Sequence, residues 1–165
     1  MSSDFYQTHI LPYAGIIIKI CRAYTHSQID FEDYYQEVCL QIWRSREKFK
    51  GNSQWSTWIY RVALNVCLTL VRKEKKQQHF SATNEIPDIV VEDSKAFSNE
   101  SLNILYKAIK QLSETDRAVI LLYLEEKSYQ EIATLLGTNA NNIGVRIKRI
   151  KTRLKRLLNE YKIYE

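Results

Sequence analysis

Apolar residues recur along most of the chain at three- and four-residue steps, the spacing that gathers side chains on one face of an α-helix. From Ser3 to about Tyr24, Phe5, Ile10, Tyr13, Ile17 and Ile20 keep this rhythm, and Ser2 or Ser3 can cap the start. A second helix opens at Asp30, with Glu32 and Asp33 in its first turn, where the helix dipole favours negative charge. Phe31, Tyr35, Val38 and Ile42 form its stripe, flanked by Tyr34, Cys39 and Trp43. The turn signal Gly51-Asn52-Ser53 stops it near Lys50. A third helix runs from after Ser53 to about Gln77, with Trp55, Trp58, Ile59, Val62, Ala63, Val66 and Leu70 as its apolar face.

Residues 78–97 change character: they contain Pro87, several acidic residues and no sustained period, which reads as a linker. Beyond it, Leu102, Leu105, Tyr106, Ile109 and Leu112 give a short amphipathic helix. Ser113-Glu114-Thr115-Asp116 and Ser128-Tyr129-Gln130-Glu131 resemble capping boxes and open two further helices, the first through Leu124, the second ending at Gly137. Asn139 caps a last helix in which Ile143, Ile147, Ile150, Leu154 and Leu157 alternate steps of four and three. The expected fold is all-α: two small helical domains, 1–77 and 98–165, joined by a flexible acidic linker at 78–97.

Composition narrows the class. Only 4 glycines and 2 prolines occur in 165 residues, too few for a turn-rich β-sandwich or a Gly-loop nucleotide fold. The longest apolar runs, such as Gly15–Ile18 and Ala118–Leu124, fall far short of the roughly 18 residues that span a bilayer. No basic stretch precedes an apolar run at the N-terminus, so a signal peptide is not expected. Cys21, Cys39 and Cys67 are widely spaced among apolar neighbours, without a CxxC motif or ligand-like spacing to His9, His26 or His79. Reduced thiols, a cytoplasmic setting, and no metal or other cofactor are expected.

The formal net charge is +5, but it is unevenly spread. Residues 1–40 carry 2 basic and 5 acidic side chains, and 41–76 carry 9 and 2. Residues 77–116 carry 3 and 7, and 117–165 carry 10 and 5. Two positive blocks separated by a negative one suit two attachment points on a polyanion. Charge alone fits solvated helix faces equally well.

The segment Ser128–Lys155 adds specific geometry. A short capped helix, a small Ala133 on its packing face, a Gly137 turn and a basic helix are the parts of a helix-turn-helix. Its second helix would enter the major groove with N-terminal residues toward the base edges. Asn139, Asn141 and Asn142 stand there, and their amides match an adenine edge. Arg146 and Arg149 could reach guanine or phosphate, and Lys148 could reach phosphate. A helical hairpin with an ordinary basic face is the alternative; caps, turn and Asn/Arg cluster together favour DNA.

Leu112-Ser113-Glu114-Thr115-Asp116-Arg117, Ser128-Tyr129-Gln130-Glu131-Ile132-Ala133 and Leu136-Gly137 resemble region 4 of the extracytoplasmic-function (ECF) sigma factors, group 4 of the bacterial housekeeping-type sigma family. Glu32-Asp33-Tyr34-Tyr35-Gln36-Glu37-Val38 is similar to that family's acidic region 2.2 helix. Residues Trp55-Ser56-Thr57-Trp58-Ile59-Tyr60-Arg61-Val62-Ala63-Leu64-Asn65 resemble its region 2.3 to 2.4 helix. The resemblance covers nearly the whole chain, in the family's order.

It implies a promoter-specificity subunit that binds core RNA polymerase and promoter DNA, has no catalytic chemistry and no small-molecule substrate, and is held inactive by an anti-sigma factor, often membrane-anchored. Region 2 would dock on the polymerase clamp through Asp33, Gln36 and Glu37 and open the −10 element. In this family the loop before the region 2.3 helix captures a flipped base, which makes Lys50, Asn52, Ser53 and Gln54 the expected pocket. Aromatic rings beside cations accept unstacked bases at about 1–3 kcal/mol each; Trp55 is open between that role and the core, whereas Trp58 reads as core. Arg61 and Asn65 match DNA-facing positions, and Arg72, Lys73 and Lys76 would neutralise phosphates. Region 4 would read the −35 element through Asn139, Asn141, Asn142, Arg146, Lys148 and Arg149.

Two departures stand out: Thr69 where the family commonly has an acidic residue, and Gly144 inside the recognition helix. Gly144 costs about 1 kcal/mol relative to alanine, and would permit close approach to DNA or to the preceding helix. A polymerase-independent helix-turn-helix regulator is the main competitor, but it leaves residues 32–37 and 55–76 without a role. A small helical nuclease would need clustered carboxylates or a nucleophile with a base, which the pattern lacks.

Overall fold

Pro12 makes the first departure from the sequence pattern. It has no backbone N–H, and its ring crowds the carbonyl four residues back, so one helix from Ser3 to Tyr24 cannot pass through it. In the computed structural model, which describes residues 1–80 and 100–163, this stretch is broken into four pieces. Helix α1 (Ser3–Phe5) is a single turn whose Phe5 N–H donates to Ser2 Oγ at 3.3 Å. A π-helical turn, Tyr6–Ile10, and a 3-10 turn, Leu11–Tyr13, absorb the proline before α2 (Ala14–Tyr24) begins.

Helix α3 (Gln28–Ser45) starts ahead of Asp30, because the Ser27 hydroxyl accepts the Asp30 backbone N–H at 3.1 Å. Asp30 is thus a first-turn residue and not the opening one. A 3-10 turn, Arg46–Lys48, follows, and the Arg46 guanidinium donates to the Trp43 carbonyl at 2.7 Å while lying 3.6 Å over the Trp43 ring. Helix α4 spans Trp55–Phe80, so residues 78–80 of the expected linker continue the helix. Residues 81–97 of that linker lie outside the described residues.

Helices α2, α3 and α4 pack pairwise and bury Ile17, Ile20, Val38, Ile42, Ile59 and Ala63. All three cysteines meet in this core as free thiols, with Cys21 Sγ 4.0 Å from Cys67 Sγ. Burial pushes the Cys39 thiol up to about 11. The bond with Cys21, then burial, raises Cys67. Tyr34 donates its hydroxyl to Glu74 Oε1 at 2.9 Å and ties α3 to α4; burial first, then that carboxylate, hold its phenol above the ordinary range. Among the described residues no cluster of three or more His, Cys, Asp or Glu is placed to hold a metal, and no helix is long and apolar enough to cross a membrane.

The second unit is punctuated as its sequence suggests. Helices α5 (Glu100–Lys110), α6 (Glu114–Leu124), α7 (Tyr129–Leu136) and α8 (Ala140–Ile163) follow in order. Ser113 Oγ accepts the Asp116 N–H at 3.2 Å and Ser128 Oγ accepts the Glu131 N–H at 3.1 Å. Gly137 ends α7 at φ 73°, a conformation in which any side chain is strained. Asn139 Oδ1 then accepts the Asn142 N–H at 2.9 Å and caps α8. Helix α8 packs on α5, α6 and α7 through Ile143, Ile147 and Ile150.

Candidate nucleic-acid interface

On α3, Asp33 and Gln36 are exposed, whereas Glu37 is half-buried with its carboxylate 3.7 Å from Arg44. Glu37 therefore has an intrachain cation beside it, and only Asp33 and Gln36 of the expected polymerase-facing trio are fully open to a partner.

The loop between α3 and α4 exposes Lys50, Asn52, Ser53 and Gln54, with Gly51 at φ 75° making the bend. Its flanking rings, Phe49 and Trp55, stand edge to face at 5.0 Å. Trp55 is half-buried, and its indole N–H donates to the His9 carbonyl at 2.7 Å. Trp58 is also half-buried, and its indole N–H is enclosed without a hydrogen-bond partner. Trp58 lines a groove of about 380 Å³ between α3 and α4, together with Glu37, Gln41, Lys48, Arg61 and Asn65. Residues read from separate motifs thus line one groove: Glu37 from the acidic helix, Arg61 and Asn65 from the tryptophan helix.

Arg61, Asn65, Arg72, Lys73 and Lys76 are all exposed on α4. At the helical period, Arg61, Asn65, Arg72 and Lys76 fall within an arc of about 60°, with Lys73 to one side. At 1.5 Å per residue, Trp55 and Lys76 stand about 32 Å apart along the axis. The expected −10 residues therefore form a stripe and not a single pocket, with the loop at one end and the lysines at the other.

On α8, Asn139, Asn141, Asn142, Lys148 and Arg149 are exposed and Arg146 is half-buried. Three of these are already engaged within the unit. Asn139 caps the helix, the Asn142 amide donates to Thr138 Oγ1 at 3.2 Å, and Arg146 Nη1 lies 3.5 Å from Asp116 Oδ1. Asn141, Lys148 and Arg149 share the outward face.

Val145 stands in the middle of that face, 54% exposed, and the sequence reading missed it. The missed signal is phase: Val145 falls between Ile143 and Ile147, out of step with the buried stripe. An exposed β-branched side chain there suits a thymine methyl group. Gly144 faces the preceding helix: a Cβ added to it would lie 3.5 Å from Tyr129 Cε2. Arg153 donates to the Gln111 carbonyl at 2.9 Å, beyond the end of α5.

These two surfaces define the class. Residues 10–77 match sigma-70 region 2, and residues 102–154 match sigma-70 region 4, so the chain has the two-region architecture of a sigma-70-type protein. It belongs, within that class, to the ECF sigma factors. It is 28% identical to the ECF RNA polymerase sigma factor SigG of Mycobacterium tuberculosis across 91% of its own length and 48% of SigG, about half of that relative. SigW of Bacillus subtilis is 26% identical over 90% of this chain and 86% of SigW. The sigma factor RpoE of Bartonella quintana, solved in complex with the anti-sigma factor NepR, shares the fold with a TM-score of 0.76 at 23% identity, covering 96% of this chain and 98% of RpoE.

Proposed function

We propose that this chain is a promoter-specificity factor that binds core RNA polymerase and directs initiation at promoters with −10 and −35 elements. Its N-terminal domain, 1–77, contacts polymerase through the exposed Asp33 and Gln36 with Glu37 at their edge, and opens the −10 element with the loop Lys50–Gln54 and the α4 stripe. Its C-terminal domain, 98–165, reads the −35 element through α8. The chain has no catalytic chemistry of its own and acts in the cytoplasm. An anti-sigma factor holds it inactive, as NepR is bound to its B. quintana relative.

One observation carries this reading. Two separate helical units each present an exposed basic helix face, α4 with Arg61, Arg72 and Lys76 and α8 with Lys148 and Arg149. A lone helix-turn-helix regulator has use for only the second. The test is run-off transcription from a genomic fragment library with purified core polymerase. Discrete new start sites are expected only when the chain is added, and the chain should co-elute with core. Absence of any start site, or DNA binding without co-elution, overturns the reading.

A further inference from the structure

Aromatic contacts fasten the N-terminal turn to α3 and to Trp55 at the C-terminal end of the exposed loop. Phe5 stacks on His9 with centroids 4.8 Å apart and meets Trp43 at 5.0 Å and Trp55 at 6.4 Å, both edge to face. His9 lies 5.9 Å from Trp55, and its carbonyl receives the Trp55 indole N–H. Phe49, just before the loop, is 5.0 Å from Trp55, just after it, and 5.9 Å from Trp58. On the same turn, the Tyr6 hydroxyl shares a 2.9 Å hydrogen bond with the Tyr35 hydroxyl of α3.

The loop has little to hold its own shape. Its side chains are exposed, and the internal bond from Ser53 Oγ to the Gln54 carbonyl is long, at 3.4 Å. Residues 50–54 lose conformational freedom when they are ordered around a captured base. Fixing the ends beforehand removes part of that cost, which is the value of preorganisation. Helix α4 holds the loop ends through the Gln54 carbonyl, which accepts the Trp58 N–H at 3.2 Å, and through Phe49 against Trp55 and Trp58; the N-terminal turn adds support from outside both loop and helix, through Phe5 and His9.

We propose that the N-terminal turn Phe5–His9 is a positioning element for the loop Lys50–Gln54, holding it in the shape that receives an unstacked base of the opened promoter strand. This rests on the promoter-factor reading above and gives residues 5–9 a role in it. Trp55 becomes an anchor: its N–H is spent on the His9 carbonyl, and its half-buried ring is flanked by Phe5, His9 and Phe49. Because Tyr6 and Phe5 also touch α3, the same turn links the polymerase-facing helix to the loop.

The test uses holoenzyme made from the full chain and core polymerase, on a duplex promoter fragment that unaltered holoenzyme has selected from a random-sequence library. Phe5→Ala removes the ring that touches His9, Trp43 and Trp55 and leaves the loop residues in place. It should slow open-complex formation about tenfold, as loosened support of a site does, with core affinity unchanged. Phe5→Tyr, which keeps the ring, should restore the rate.

In a background with Lys50, Asn52, Ser53 and Gln54 all changed to alanine, adding Phe5→Ala should cost less than about twofold, because the turn acts through the loop. Equal losses in both backgrounds, or no loss in the unaltered one, overturn the proposal. Should Phe5→Ala also lose core binding, Trp55→Phe decides the matter, since it deletes the N–H and keeps an aromatic ring, though a smaller one. A rate about threefold lower, again absent in the loop-alanine background, supports the proposal; an unchanged rate overturns it. If unaltered holoenzyme starts no RNA on any fragment, the functional reading fails first and takes this proposal with it.

Discussion

On the proposed reading, the two units would meet DNA with surfaces prepared in opposite ways. On α8, three of the side chains expected at base edges are already held within the unit, Asn139 on the helix end, Asn142 on Thr138 and Arg146 beside Asp116, while Asn141 faces outward. In the N-terminal unit, the loop side chains are exposed, and order is supplied from beneath by Phe5, His9, Phe49 and Trp55. The difference suits the two proposed targets. A closed duplex offers a fixed pattern of groups, so a reader gains by presenting side chains already set. An unstacked base brings no such frame, and its receiving loop needs support that does not occupy the residues meeting it.

The sharpest way to break this comparison is at Arg146. If its guanidinium reads a base from the position set by Asp116, Arg146→Ala should weaken binding to the −35 duplex by about 1–3 kcal/mol and relax sequence preference at one position. Lys148→Ala, at a phosphate-facing site, should weaken all sequences alike and lower the salt slope by about 1. Competition binding by holoenzyme at two salt concentrations separates the two. Identical behaviour of both variants would mean that α8 supplies charge and not readout, and that the preset side chains serve only the fold.

A second test concerns the fold that presents those side chains. Gly144 has room for a methyl group at ordinary contact with Tyr129, and its backbone is helical. Gly144→Ala should therefore stabilise the C-terminal unit by about 1 kcal/mol, whereas Ser128→Ala removes the α7 cap and should cost about 1 kcal/mol. Denaturant midpoints of the full chain measure both. If Gly144→Ala stabilises the fold but weakens −35 binding, the glycine is kept for approach to DNA as well as to Tyr129.

How much of this was legible differs between the units for a physical reason. In the C-terminal unit, three helix starts and one stop are local events: Ser113, Ser128 and Asn139 cap by bonding three residues ahead, and Gly137 reverses the chain by itself. Local chemistry shows in a linear pattern. In the N-terminal unit, the decisive contacts join residues 46 apart, Trp55 with His9 and Cys21 with Cys67, and no periodicity announces them. The helical rhythm from Phe5 to Ile20 was correct in its buried positions Ile10, Ile17 and Ile20, yet it hid the break at Pro12. The engaged states of Asn142 and Arg146 also escaped the sequence, because Arg146 finds its partner on another helix and the Asn142 amide turns back to Thr138, just outside its own.

The smallest expected effect separates the units by their titrating cores. Cys39, Cys67, Tyr34 and Tyr35 lie in the N-terminal unit with acidities weakened, for Tyr35 by burial and then its bond with Tyr6. A group whose folded pKa is raised stabilises the fold fully below its unfolded value and loses that contribution as pH climbs toward the folded one. For Cys39 the window runs from its ordinary 9.0 to about 11; for Tyr34 it begins at 10.0. Raising the pH from 7 to about 10.5 should thus lower the Tm of the N-terminal transition by more than the change in the C-terminal one. Tyr34→Phe should cost about 1 kcal/mol at neutral pH, through the lost bond to Glu74, and flatten the alkaline decline. Two transitions that fall in parallel with pH, unaffected by Tyr34→Phe, would show that the buried thiols and phenols do not set the alkaline limit of the N-terminal core.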